Sequence, residues 1–127
     1  MLEYLDDGRY RLTRVQWVPQ PLEAVFPFFE RPENLERITP PFLRFKILTP
    51  SPIPMAVGTR IDYRLGLHGL PVRWQSEITA YEPGVRFVDE QRRGPYALWH
   101  HEHTFVAKAG GTELRDVVTY RLPFGPL

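Results

Sequence analysis

From residue 43 to residue 122, apolar side chains recur at every second position. Leu43, Phe45 and Ile47 alternate with Arg44 and Lys46, and Ile61, Tyr63, Leu65 and Leu67 alternate with Arg60, Asp62, Arg64 and Gly66. Trp74, Ser76 and Ile78 alternate with Arg73, Gln75, Glu77 and Thr79; Leu114, Val118, Tyr120 and Leu122 alternate with Glu113, Arg115, Thr119 and Arg121. A period of two fits extended chain with one face buried and the other in water. Short turn sequences separate the runs: His68-Gly69-Leu70-Pro71, Glu82-Pro83-Gly84, Arg93-Gly94-Pro95 and Ala109-Gly110-Gly111. Connections this short make hairpins, so the sheet is antiparallel.

The first third of the chain reads differently. Residues 10–19 form a candidate strand of ambiguous facing. Pro21 suits a first helical position, and Leu22, Val25, Phe26 and Phe29 follow a helical stripe. Pro27 falls inside that stripe, so the helix is expected to be short or kinked. Pro32 opens a second short helix with Leu35 and Ile38 as its apolar contacts, ended by Pro40-Pro41. The expected architecture is α+β: one strand, two short helices, then six strands in a meander.

The 127 residues suggest one domain, 1–127. A net charge of +1, with no basic cluster on one face, gives no electrostatic footprint for nucleic acid. No apolar run approaches the roughly 18 residues of a membrane span. With no cysteine, thiolate metal sites and disulfides drop out, and a cytoplasmic location is compatible.

The densest chemistry is 99-WHHEHTF-105. On a strand, Trp99, His101, His103 and Phe105 share one face, and His100, Glu102 and Thr104 share the other. The aromatic residues mark the first face as inward, so His100 and Glu102 are expected in solvent along with Arg73 and Glu77. The zinc-protease pattern HExxH needs a helix, which this is not. Two inward histidines about 6.6 Å apart by strand rise could supply two metal ligands, with a third from Asp89 or Asp116. No metal and no other cofactor is expected from that count alone. In 85-VRFVDEQRRG-94, Phe87, Asp89 and Gln91 share the inward parity. A two-residue loop at Pro83-Gly84 puts Asp89 opposite Ile78 and Gln91 opposite Ser76, with Trp99 or His101 as its other neighbour. Asp116 lies on the apolar parity of the last strand, beside His103.

The inner face thus carries a polar layer of Ser76, Asp89, Gln91, His101, His103 and Asp116, with the hydroxyls of Tyr63 and Tyr120. Leaving buried polar groups unpaired costs about 1–3 kcal/mol each. A cavity holding water or a ligand accounts for the layer; internal pairing, such as Asp89 with His101, is the alternative for each residue singly.

The combination W-x-x-x-I-x-x-Y-x-P at Trp74 to Pro83 resembles the SRPBCC (START-like) superfamily, in its polyketide cyclase/dehydrase-like branch. So do F-x-D-x-Q at Phe87 to Gln91, G-P-Y-x-x-W-x-H-x-H-x-F at Gly94 to Phe105, and the closing R-L-P-F-G-P-L. The resemblance implies a helix-grip fold: a curved seven-stranded antiparallel sheet around a long C-terminal helix, with a cavity for apolar small molecules on the concave face. The sequence ends at Leu127, where that helix would begin, so a further segment or a second copy in a homodimer is expected over the open face. The resemblance assigns no catalytic residue.

Three functions follow. The first is binding of a lipid, polyketide or isoprenoid-like molecule, with Tyr63, Trp74, Phe87, Trp99, Phe105 and Tyr120 as apolar contacts and Ser76, Asp89, Gln91, His101, His103 and Asp116 as polar ones. The second is a cyclase, aromatase or dehydratase in which His101 or His103 is general acid/base beside Asp89 or Asp116. The third is a protein-interaction module whose groove receives a partner's helix.

Overall fold

The computed structural model describes residues 1–34, 37 and 41–123. The strands are β1 (Leu2–Tyr4), β2 (Arg9–Val18), β3 (Lys46–Ile47), β4 (Arg60–Leu67), β5 (Leu70–Glu82), β6 (Arg86–Arg93), β7 (Leu98–Lys108) and β8 (Gly111–Arg121); the helix α1 (Leu22–Phe29) lies between β2 and β3. They form one antiparallel sheet in the order β1-β2-β8-β7-β6-β5-β4-β3. The meander from β3 to β8 returns the end of the chain beside its beginning, and β2 and β8 pair over ten residues.

The sheet has eight strands where the sequence led us to expect seven. The addition is β1, whose three residues are too few to show a period. The expected run at 43–47 shrinks to β3, because Pro41–Leu43 forms a 3-10 turn and Arg44 adopts a left-handed φ of 50°. Phe45 and Ile47 still turn inward, against Tyr63 and into the isoleucine cluster.

Helix α1 has eight residues, as Pro27 led us to expect. Pro21 is its N-cap rather than its first helical residue. Pro27 has no N–H to continue the ladder, and the turn after it is closed by Asn34, whose side-chain amide donates to the Phe28 carbonyl at 2.7 Å. Pro32 opens a 3-10 turn over Pro32–Asn34. The second helix expected around Leu35 and Ile38 lies outside the described residues, as does most of the closing R-L-P-F-G-P-L. No long C-terminal helix occurs among the described residues.

The core sits where α1 covers one end of the sheet's inner face. Val25 and Phe26 meet Phe87, Phe105 and Leu114, all buried. Complete burial of such side chains contributes about 1.5–3 kcal/mol each. Ile53, Ile61 and Ile78 form a second buried cluster toward β4. At the turn into β8, Gly111 is required because a Cβ there would sit 2.4 Å from the Val18 carbonyl and 2.7 Å from the Trp17 ring.

The register places the functional strands. Asp89 is opposite Ile78 and Gln91 opposite Ser76, as the sequence led us to expect, but by a different route. The loop between β5 and β6 holds three residues rather than two, since Glu82 pairs with Arg86. A bulge between Ile78 and Ala80 leaves Thr79 without a partner and restores the register.

Candidate functional site

Three rows of side chains cross the inner face. Under α1 lies the apolar row of Phe87, Phe105 and Leu114. At the opposite end runs a continuous belt of aromatic rings: Phe45, Tyr63, Trp74, Trp99, Tyr120, Tyr10 and Tyr4, with successive centroids 4.8, 5.8, 5.2, 5.9, 5.4 and 5.3 Å apart. Tyr96, from the β6–β7 loop, packs on Trp74, Trp99 and Tyr120. Between the two lies the polar row: Ser76, Asp89, His101, His103 and Asp116.

The expected facing is observed. Trp74, Phe87 and Phe105 are buried on the side that His101 and His103 share, while the His100 and Glu102 side chains, 43% and 37% exposed, lie on the other side. Arg73 is exposed, and Glu77 points outward to Arg60 and Arg92.

The sequence left Asp89 and His101 as a possible pair, and the structure exchanges the partners. His101 and Asp89 are opposite in register, as are His103 and Asp116. The short contacts run diagonally instead: His103 Nε2 to Asp89 Oδ2 at 2.7 Å and His101 Nε2 to Asp116 Oδ1 at 2.9 Å. The directly opposed pairs are longer, 3.2 Å for His103 Nδ1 to Asp116 and 4.0 Å for His101 Nδ1 to Asp89. The cause is stacking. The two imidazoles lean along the strand until their centroids are 3.7 Å apart, far closer than strand rise alone would leave them. Each carboxylate then faces one nitrogen of each ring. Phe87 stacks on the far side of His103, with centroids 4.2 Å apart, and fixes that ring.

A family model described as "Polyketide cyclase / dehydrase and lipid transport" matches residues 18–127. The chain belongs to this family. Solved structures agree on the fold. A Chromobacterium violaceum protein, CV1439, superposes with a TM-score of 0.73 at 18% identity, covering 91% of this chain and 83% of that one. The Zhui aromatase/cyclase from a Streptomyces species gives 0.70 at 15%, covering 90% and 68%. A nucleoside-diphosphate sugar epimerase from Corynebacterium glutamicum gives 0.65 at 29%, covering 89% of this chain but 25% of that one. No curated protein matches the chain.

In this member of the polyketide cyclase/dehydrase family, most of the polar row satisfies itself. Ser76 Oγ takes the Trp74 Nε1–H at 3.1 Å and shares a hydrogen bond with the Tyr63 hydroxyl at 3.1 Å. Burial holds the Tyr63 phenol well above its ordinary range. Gln91 belongs to the neighbouring loop, its amide donating to the Tyr96 carbonyl and its oxygen accepting from the Tyr96 N–H. Among the described residues no buried side-chain polar atom lacks a partner. The expected argument from unpaired groups to a cavity therefore does not apply. Nor is the row enclosed: Leu12 and Leu2, 43% and 58% exposed, leave the β1–β2 side of the face open among the described residues. Two small clefts lie elsewhere. One of about 120 Å³ touches the belt at Tyr63 and Trp74, and one of about 330 Å³ lies between Glu30, Glu33, Ile53 and Tyr81.

Electrostatically the row is a coupled set. Burial alone would lower the His103 pKa, but hydrogen bonds to Asp116 and Asp89, and their charge, more than reverse this and hold it at about 9. Burial would raise Asp89 and Asp116; the histidines hold both carboxyls below their ordinary range. The arrangement can keep a proton on His103 between two carboxylates, and Asp89, His101 and His103 can bring one metal-ligand atom each within 4.8 Å of one another. The sequence reading missed Tyr4, Tyr10, Phe45 and Tyr96. Tyr96 sits in a loop where period two has no meaning, and Tyr10 begins the strand whose facing was ambiguous.

Proposed function

We propose that the chain is a cytoplasmic, single-domain binding protein for a hydrophobic or amphipathic small molecule: a lipid, polyketide or isoprenoid-like compound. The observation that carries this reading is the aromatic belt lying next to the polar row on a face left open toward β1 and β2. An apolar body would lie on Trp99, Tyr120 and Tyr10, and a polar head would meet His101 and Asp116. The family's association with lipid transport supports the same class of ligand. Stacking and burial on an aromatic ring of this kind contribute about 1–2 kcal/mol. In a tryptophan-fluorescence titration with fatty acids, aromatic polyketides and isoprenoids, at least one class should saturate, and Trp99→Ala should weaken it about tenfold. Absence of saturable binding across the panel, with no molecule carried through native mass spectrometry, would overturn the reading.

A second reading, a cyclase or dehydratase, is favoured by one contact: the 2.7 Å His103–Asp89 hydrogen bond, a geometry suited to a general acid/base. It draws support from the family's cyclase and dehydrase members and from the aromatase/cyclase that shares the fold. The two readings separate on His103→Gln. Loss of turnover by about 10²–10⁴ with affinity retained supports catalysis. A change in affinity of no more than about tenfold, with no turnover to lose, supports binding.

A further inference from the structure

The two carboxylates of the polar row do different things to the stacked imidazoles. His101 Nδ1 and His103 Nε2 both face Asp89 Oδ2, at 4.0 and 2.7 Å. The opposite nitrogens, His101 Nε2 and His103 Nδ1, both face Asp116 Oδ1, at 2.9 and 3.2 Å. In protein metal sites a ligating histidine nearly always gives its other ring N–H to a carboxylate or carbonyl, which fixes the tautomer and aims the metal-binding lone pair. Here one carboxylate is placed to do this for both rings at once.

We propose that Asp89 Oδ2, His101 Nδ1 and His103 Nε2 bind a divalent transition-metal ion of the zinc or ferrous-iron class, with Asp116 orienting both imidazoles from behind. The three residues come from adjacent strands, β6 and β7, and Asp116 from β8, so the ligand set is held by the sheet rather than by loops. Their ligand atoms all lie within 4.8 Å of one another. Around an ion with bonds of about 2.0–2.2 Å, neighbouring ligand atoms stand about 3.0–3.5 Å apart. The two distances to Asp89, 2.7 and 4.0 Å, bracket that range, and the third edge, between the two ring nitrogens, is within 4.8 Å. Because the rings stack at an interplanar angle of 22°, closing the site also requires them to rotate so that their in-plane lone pairs converge on the ion. The ion takes the place of the hydrogen that His103 shares with Asp89.

The donor set decides the class of ion. Two imidazoles and one carboxylate suit zinc, iron and their neighbours, whereas calcium and magnesium prefer all-oxygen shells. Three protein ligands leave a coordination position open. The Asp89, His101 and His103 side chains keep 20%, 22% and 17% of their exposure, which gives an ion a route from the open side of the face. Arg14, opposite Asp116 in register, gives its guanidinium to Gln16 at 3.1 Å. This inference stands apart from the apolar-ligand reading, since the ion alone is its probe.

The test is a titration of tag-free, chelator-stripped protein with Co²⁺, read by visible absorption, followed by displacement with Zn²⁺. One equivalent should produce a four- or five-coordinate cobalt spectrum that zinc abolishes and excess Mg²⁺ does not. Asp89→Ala and His101→Gln should each weaken binding at least about 100-fold. Asp116→Asn should weaken it about 10–100-fold while keeping the spectrum, as expected of a positioning residue. His100→Ala, on the outer face, should change nothing. Circular dichroism identifies the variants that fold, and either ligand variant suffices. The proposal fails if wild-type protein gives no saturable cobalt spectrum at millimolar ion. It fails equally if binding survives in the folded ligand variants, or if binding depends on His100 or His68 instead.

Discussion

Glu102 stands between His101 and His103 on β7, and the strand carries polar pairs on both faces of one sheet. Outside, Glu102 meets Arg86, which also reaches Glu82, and Glu77 meets Arg60 and Arg92. These are long side chains spread on a wet surface; Arg86 and Glu102 are 31% and 37% exposed. Inside, short side chains hold the same kind of pair at 2.7–3.2 Å with a phenylalanine stacked against it. A pair in water gains little because solvent already screens it, whereas a pair against apolar rings leaves an uncompensated charge when one member is removed. The same strand therefore carries interchangeable charges on one side and interdependent ones on the other.

The sharpest way to break this contrast is Asp89→Ala in chelator-treated protein. It removes one of the two carboxylates that hold the His103 proton, leaving Asp116 at 3.2 Å as its remaining partner. It should cost about 1–3 kcal/mol in urea unfolding, below a fully buried lone pair because Asp116 and water still compensate the charge. A loss near zero would place the inner cluster in the same class as the outer pairs. Titration gives the next largest effect. The folded pKa of His103, about 9, lies above its ordinary 6.5, so its contribution is fully present below pH 6.5 and disappears as pH rises through about 9. Asp89 and Asp116 are held below their ordinary 3.8, so their contribution is present above that pH and is lost on acidification. Metal-free protein should be most stable between roughly pH 4 and 6.5 and lose no more than about 3 kcal/mol by pH 10. His103→Gln should flatten the alkaline limb, and a wild-type curve already flat there would contradict the arrangement. The smallest effect is expected outside: Glu102→Ala should cost less than about 1 kcal/mol, and less still at high salt. A larger loss would mean that the outer pair, too, is interdependent.

Much of this was written in parity. The inward sets Trp74–Ser76–Ile78 and Trp99–His101–His103–Phe105 follow from alternation, because a strand offers each residue only two directions. Which carboxylate binds which histidine was not legible, because it depends on how far two rings tilt toward each other, a matter of rotamers rather than register. The aromatic belt was half legible for a related reason. Trp74, Trp99 and Tyr120 lie on clear strands, but Tyr4 belongs to a three-residue strand and Tyr96 to a loop. One irregularity did leave a mark. In W-x-x-x-I-x-x-Y the step from Trp74 to Ile78 is even and the step from Ile78 to Tyr81 is odd, yet all three side chains face inward. An odd step with unchanged facing requires an extra residue, and Thr79 is that residue.

Thr79 separates the length of β5 from its facing. Two residues, Thr79 and Ala80, occupy the outward interval between Ile78 and Tyr81, opposite the single Val88 between Asp89 and Phe87. Excising Thr79 would join Ile78 to Ala80 and give a ladder unbroken from Ile78 to Glu82, in which Glu82 still meets Arg86, Tyr81 still meets Phe87 and Ile78 still meets Asp89, with the second shift, between Gln75 and Ser76, left in place. Excising either neighbour instead, Ile78 or Ala80, would remove an inward side chain or merely hand its place to Thr79. A chain one residue shorter could thus present the same inner face, and the surplus residue serves the twist of the sheet rather than the order of its side chains.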